Sequence, residues 1–253
     1  MDLGLDGKKA IILGGSRGIG WYTGELLRKE GASVAFCARG AEGVKAAIDR
    51  LTAIGPGVVY GATANLEDGE ETRAFCRNAV EALGGCDLLI HNASGFGQAD
   101  GEEGWMRSFQ VDMMAGVRAV EACQAALEQS HAASITFIGS MASKYYFGRS
   151  SSYGPAKGAM RVYANELGQK LGRRGVRANV ISPGAVWFPG GSWDKRKAES
   201  PAFYASVEKL IPLGRLGTGE ELARVIVFVA SPAGGWINAA HIVVDGGQVA
   251  SVD

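Results

Sequence analysis

The sequence predicts an α/β fold, a doubly wound parallel sheet of seven strands with helices on both faces, in one domain spanning 1–253. Three observations predict it. Short apolar, β-branched runs alternate with longer amphipathic stretches along the chain. A glycine-rich turn, Leu13 to Gly20, joins the first such run to the first helical stretch. No linker, repeat or low-complexity tract divides the chain.

In order, Lys9 to Leu13 reads as a buried strand, and Gly18 to Glu30 as a helix closed by Gly31. Ser33 to Ala38 is the second strand and Glu42 to Ile54 the second helix. Gly57 to Ala62 is the third strand, followed by a helix from Asp68, a suitable N-cap, to Leu83. Asp87 to Ile90 is the fourth strand. A glycine-rich loop, Ser94 to Gly104, precedes one long helix from Trp105 to Gln129. Ser134 to Gly139 is the fifth strand, Ser151 to Leu171 a helix and Val176 to Ile181 the sixth strand. Pro183 to Pro212 reads as irregular and aromatic, with a substrate lid at about 185–212. Gly219 to Ala230 is the last helix and His241 to Val244 the last strand. Strands alternating with helices argue for a parallel sheet covered on both faces.

The 253 residues are 47% hydrophobic, enough for one large core. The 26 basic and 26 acidic residues balance without a basic stripe or acidic tail, which argues against nucleic acid or an anionic membrane as partner. Cys37, Cys76, Cys86 and Cys123 form no CxxC pair, and His91, His131 and His241 are dispersed, so no metal site or disulfide framework is expected. The cysteines read as small buried apolar residues of a reducing compartment. No apolar segment has the length of a signal or a membrane span, so a soluble, cytoplasmic protein is expected. The 38 glycines are about twice the usual share and predict tight turns and close backbone contacts.

A glycine-rich turn between strand and helix can cradle a phosphate, because free N–H groups and the helix dipole favour an anion there. Gly14, Gly18 and Gly20, with Ser16, Arg17 and Ile19 between them, suit a dinucleotide pyrophosphate. The second strand ends Cys37-Ala38-Arg39 with no carboxylate for a ribose 2′-OH. Arg39 and Arg17 instead suit a 2′-phosphate, which favours NADP(H), with NAD(H) as the alternative. Further along, Tyr153 and Lys157 are four residues apart on a predicted helix and so share a face. An ammonium beside a phenol favours the phenolate and tunes it for proton transfer. Ser140, delivered by the fifth strand, is placed to hold the oxygen that receives the proton.

Together these pieces resemble the short-chain dehydrogenase/reductase family over Gly7 to Gly247. The matching motifs are Gly14-xxx-Gly18-Ile19-Gly20, Asn92-Ala93, Ser140, Tyr153-xxx-Lys157, Pro183-Gly184 and Asp245-Gly246-Gly247. Overall similarity is greatest to the 3-oxoacyl-carrier-protein reductase-like branch. The resemblance implies a Rossmann-like sheet and nicotinamide-dependent carbonyl reduction or alcohol oxidation. It implies Tyr153 as general acid or base, Lys157 as a ligand of the nicotinamide ribose, and Ser140 as the group orienting the carbonyl oxygen. By the same resemblance, Asn92, Ala93 and Ser94 line the cofactor side, Asn65 and Leu66 meet the adenine, and Pro183, Gly184 and Val186 meet the carboxamide. Dimers or tetramers paired through the two long helices are also implied.

Several positions depart from the family pattern. Leu13, Asn65, His91 and Ser94 stand where threonine, aspartate, asparagine and glycine are usual. His91 reads as a structural histidine. Asp112 replaces the asparagine that bends a helix and supports a proton relay near the lysine, so its charge can pair with Lys157. Phe188 replaces a threonine whose hydroxyl holds the carboxamide. Trp187, Phe188 and Trp193, with Phe96 and Tyr146 opposite, suggest an apolar or ring-bearing substrate, although aromatic residues equally suit packing of the lid. The resulting expectation is an NADPH-dependent carbonyl reductase acting on a 3-oxoacyl thioester or a cyclic or aromatic ketone. The alternatives are an alcohol dehydrogenase working in reverse and a non-catalytic NADPH sensor.

Overall fold

The computed structural model describes residues 1–96, 101–146 and 151–250. Seven parallel strands form one sheet: β1 (Lys9–Leu13), β2 (Ser33–Ala38), β3 (Val59–Thr63), β4 (Leu88–His91), β5 (Ser134–Ile138), β6 (Arg177–Pro183) and the last strand, His241–Val244. The spatial order is β3-β2-β1-β4-β5-β6 and then the last strand. Chain direction across the sheet reverses at β1 and β4, so the segments leaving these two strands splay apart and open a crevice at their C-terminal ends.

Successive side chains point to opposite faces, and both faces are covered. Ile11 and Leu13 join one core with Phe75 of α3 (Gly69–Leu83), Cys123 of α5 (Ala115–Glu128) and Met160 of α6 (Tyr153–Leu171). Ala10 and Ile12 join the other, with Leu27 of α1 (Gly18–Lys29), Leu51 of α2 (Ala41–Thr52) and Ile226 of α9 (Gly219–Ala230). The four cysteines are buried and free, as expected of small apolar fillers. Among the described residues no helix is long and apolar enough to cross a membrane.

Three expectations are corrected. The stretch from Trp105 to Gln129 is not one helix: α4 (Gly101–Ser108) and α5 are joined by a π-helical turn, Phe109–Met114. The cause lies in the tertiary contacts of Asp112, whose carbonyl accepts a 2.9 Å bond from the His91 ring and whose carboxylate accepts from Gly95 N. The segment before Pro212 is not irregular. It contains a short strand β7 (Val186–Trp187) and helices α7 (Ser192–Glu199) and α8 (Pro201–Leu210), the last opened by a proline at its first position. β7 pairs with β8 (Gly217–Thr218), which ties the base of this segment to α9, and Thr218 and Glu221 cap α9 reciprocally. Finally, α6 begins at Tyr153 rather than at Ser151, because Ser152 turns its hydroxyl away to α4.

Smaller shifts follow from register. β3 starts at Val59, opposite Val34, and β6 runs on to Pro183, opposite Val244 of the last strand.

Candidate active site

The phosphate cradle is built where β1 meets α1. Both Gly14 N and Gly15 N donate to Cys37 O at the end of β2, which folds the turn back over the sheet. Asn92, leaving β4, donates from its side chain to Gly14 O at 2.7 Å, and its own N–H bonds Leu13 O. The two segments of the crevice are thereby stitched together. Gly20 makes this closeness feasible, since a Cβ there would collide with the Gly14 carbonyl oxygen and come within 2.6 Å of Asn92 Nδ2. Ala93 lies directly against Gly14. Ser94 accepts from Phe96 N, and Phe96 adopts a positive φ of 61° with its ring exposed.

Arg17 stands extended just ahead of α1, beside Ser16, and Arg39 lies just past β2. Both are exposed, and neither makes an ion pair among the described residues. Thr23 holds the carbonyl of Ile19. Asn65 is exposed after β3 with its carbonyl oxygen on Glu67 N, while Leu66 is buried beneath it. A glycine-lined turn at a helix N-terminus, with two guanidinium groups outside any ion pair at its rim, suits the phosphates of a dinucleotide.

The Ser140, Tyr153 and Lys157 group forms around the end of β5. Ser140 caps a single 3₁₀ turn, Met141–Ser143, its oxygen accepting from Ala142 N at 3.1 Å. This turn abuts the first turn of α6, where a Cβ on Gly154 would lie 2.9 Å from Ala142 O. Tyr153 opens α6, half-buried, and Lys157 follows one turn on, fully buried. Lys157 Nζ donates to Ile138 O at 2.8 Å and stands 5.8 Å from the centroid of the Tyr153 ring. One ammonium thus fastens the strand that ends at Ser140 to the helix that begins at Tyr153.

Asp112 completes the group. Its Oδ1 lies 3.0 Å from Lys157 Nζ in a fully buried pair, and its Oδ2 accepts from Gly95 N at 3.0 Å. Both carboxylate oxygens are therefore engaged by the protein. His91, at the end of β4, is buried edge-on against Phe137. Burial, reinforced by the nearby Lys157 charge, pushes its pKa down to about 4. The ring is therefore neutral at pH 7, and its Nε2–H donates to Asp112 O. A buried pair of hydroxyls, Ser108 and Ser152, lies 2.8 Å apart beneath Tyr153, and Ser152 also donates to Gly104 O. The Ser108–Ser152 link and the contacts of Gly95 and Ile138 carry no sequence signal. His91, read from the sequence as a structural histidine, takes that role here by holding Asp112 O.

On the far side of the crevice, Gly184 N, just after Pro183, bonds Val244 O, and Ala185 N bonds the Gln248 side chain. Val186 is buried in β7. Asp245 accepts from Gly247 N and Val249 N, which shapes the Asp245-Gly246-Gly247 turn behind them. Asp194 accepts from the Trp187 indole and from Gly190 N, so it fixes both sides of Phe188. The Phe188 ring lies against Gly18 of the cradle. Trp193 stacks on Phe203 at 6.1 Å and meets Tyr204 edge-on, with Arg196 over its own ring. Trp193 is thus committed to packing within α7 and against α8. Tyr146 is exposed at the end of a described stretch. A depression of about 500 Å³ beside Arg177 and Trp236 lies at the other end of the sheet and holds none of these groups.

Residues 14–248 match the protein family described as enoyl-(acyl carrier protein) reductase. Isoepoxydon dehydrogenase patN of Aspergillus clavatus is 35% identical over 250 residues, covering 96% of this chain and 95% of that one. The 3-oxoacyl-acyl-carrier-protein reductase FabG of Escherichia coli is 27% identical over 250 residues, with 97% and 99% covered. Among solved structures, an NADPH-bound short chain oxidoreductase from Pseudomonas aeruginosa PAO1, described as containing an atypical catalytic center, is 31% identical. It superposes with a TM-score of 0.86 over 97% of this chain and 98% of that one.

Proposed function

The chain belongs to the short-chain dehydrogenase/reductase family of NAD(P)-dependent oxidoreductases, and on that premise we propose that it reduces a carbonyl to a secondary alcohol with NADPH. One observation carries the reading: Lys157 joins the end of the Ser140 strand to the start of the Tyr153 helix. Bound NADPH supplies the hydride; the chain supplies the proton and the oxygen-binding site.

Ser140 Oγ already accepts from Ala142 N, which leaves its hydroxyl proton free to donate to the substrate oxygen. Tyr153 donates its phenolic proton to that oxygen as negative charge develops there. Lys157 Nζ hydrogen-bonds Ile138 O and pairs electrostatically with Asp112 at 3.0 Å, and its remaining donor capacity serves the ribose. Asp112 is a positioning residue: it holds the ammonium in place and offsets part of its charge. Arg17 and Arg39 supply the donors for a 2′-phosphate, a reading supported by the NADPH bound to the Pseudomonas relative. The lid, with Trp187 at its base, favours a cyclic or acyl-chain ketone over a small polar one.

The test is NADPH consumption against a panel of an acetoacetyl thioester and cyclic ketones, with NADH and Tyr153→Phe alongside. Turnover with NADPH, abolished in the variant, is expected. Turnover that survives in Tyr153→Phe sinks the assignment. A second reading, oxidation of a secondary alcohol with Tyr153 as base, is favoured by the likeness to a relative named as a dehydrogenase. Activity with NADP and alcohols, but none with ketones, would select it.

A further inference from the structure

In a glycine-rich dinucleotide loop, the second glycine lacks a side chain so that a pyrophosphate can approach the backbone. Here that glycine is Gly18, with φ of +58°. The space its missing Cβ leaves open is not free. The Phe188 ring fills it, with Cζ 2.7 Å, Cε2 2.9 Å and Cε1 3.3 Å from where that Cβ would stand. The ring is crowded by a second glycine as well, since a Cβ on Gly191 would lie 2.7–3.0 Å from its Cε2, Cδ2 and Cζ. Phe188 therefore touches both the phosphate loop and the entry to α7. Its backbone is held as well: Phe188 O accepts from Gly191 N, and Asp194 bonds the neighbours Trp187 and Gly190. A threonine at this position is too short to bridge the gap to Gly18 and would leave the cradle open.

We infer that Phe188 is a stopper in the phosphate cradle, seated where the dinucleotide pyrophosphate must bind. Entry of the cofactor requires the ring to swing off Gly18. The ring belongs to the segment that Asp194 latches, so cofactor binding and the position of the lid are coupled. An aromatic ring over Gly18 excludes water from the empty cradle, and its apolar contact with the second core is lost when it leaves. Cofactor affinity is lowered by the fraction of molecules in which the ring is seated.

This inference rests on the dinucleotide reading above. The test is the dissociation constant and association rate of NADPH, read by energy transfer from tryptophan, for wild type, Phe188→Ala and Phe188→Leu. Phe188→Ala is expected to bind about tenfold more tightly and to associate faster, with Phe188→Leu between the two. Binding of adenosine 2′-monophosphate, which carries the 2′-phosphate and nothing at the pyrophosphate position, is expected to be unchanged, which also shows that the variants are folded. Equal or weaker NADPH binding by Phe188→Ala, with wild type binding normally, overturns the stopper alone. A matching gain for the monophosphate also overturns it, because the ring would then act away from the pyrophosphate. Failure of every form to bind NADPH overturns the dinucleotide reading itself, and the stopper with it.

Discussion

The Lys157 ammonium and the Asp112 carboxylate meet at 3.0 Å with both side chains fully buried, directly behind Tyr153. A buried pair is costly to assemble and far costlier to break, because the survivor keeps an uncompensated charge. Asp112→Ala is therefore expected to lower stability by about 3–5 kcal/mol, read as a drop in the denaturation midpoint. Asp112→Asn keeps an acceptor for Gly95 N and removes only the charge. With the Lys157 charge no longer offset, kcat/KM for ketone reduction should fall while the fold is retained; a value equal to wild type would remove any electrostatic role for Asp112.

Acid should destabilise the fold through its buried imidazoles. Burial lowers the pKa of His91 from 6.5 to about 4, and partial burial, reinforced by Arg161 and Lys144, lowers that of His241 to about 4 as well. Between these limits the unfolded chain binds more protons than the native one, so stability rises with pH. It is complete above about pH 6.5 and lost as pH falls toward 4, and the His91 share approaches about 3 kcal/mol. His91→Asn keeps an amide donor for Asp112 O but cannot titrate. Its denaturation free energy should depend less steeply on pH within that window, and an unchanged slope would contradict the assignment.

Ser152→Ala removes the hydroxyl that joins Ser108 and Gly104 to the start of α6. Loss of that buried link should cost about 1–2 kcal/mol. Because Tyr153 is the next residue, kcat should fall while the dissociation constant for NADPH stays the same. A variant that lost both in proportion would point to general loosening instead.

Arg39→Ala should weaken NADPH binding about tenfold, the worth of one charge-assisted hydrogen bond, and leave NADH unaffected. Equal losses for the two cofactors would place Arg39 away from the 2′-phosphate. Calorimetric titration of each cofactor separates these results.

Much of this was legible in the chain. The β1, β2, last-strand and α9 limits follow directly from apolar runs and their flanking residues. The glycine loop and the Tyr153–Lys157 spacing were equally plain. Local periodicity could not reveal the π turn at Phe109–Met114, because the bonds that widen it come from His91 and Gly95, distant in sequence. Nor could it reveal α7 and α8, where proline and aromatic residues read as punctuation although Pro201 opens a helix.

The sequence by itself determined the sheet, the two covered faces, the glycine turn at the head of α1 and the one-turn spacing of Tyr153 and Lys157. These depend on residues close in the chain, where repeat and spacing translate directly into geometry. Only the tertiary structure decided what Asp112 and Phe188 do. Asp112 could have faced solvent or Lys157, and Phe188 could have faced a substrate or the cradle. The packing of the Phe109–Met114 turn against α6 turned the first onto a buried ammonium, and the approach of the chain after β7 to the start of α1 laid the second against Gly18. Contacts between elements far apart in the chain are set by how the layers pack, and no local pattern encodes them.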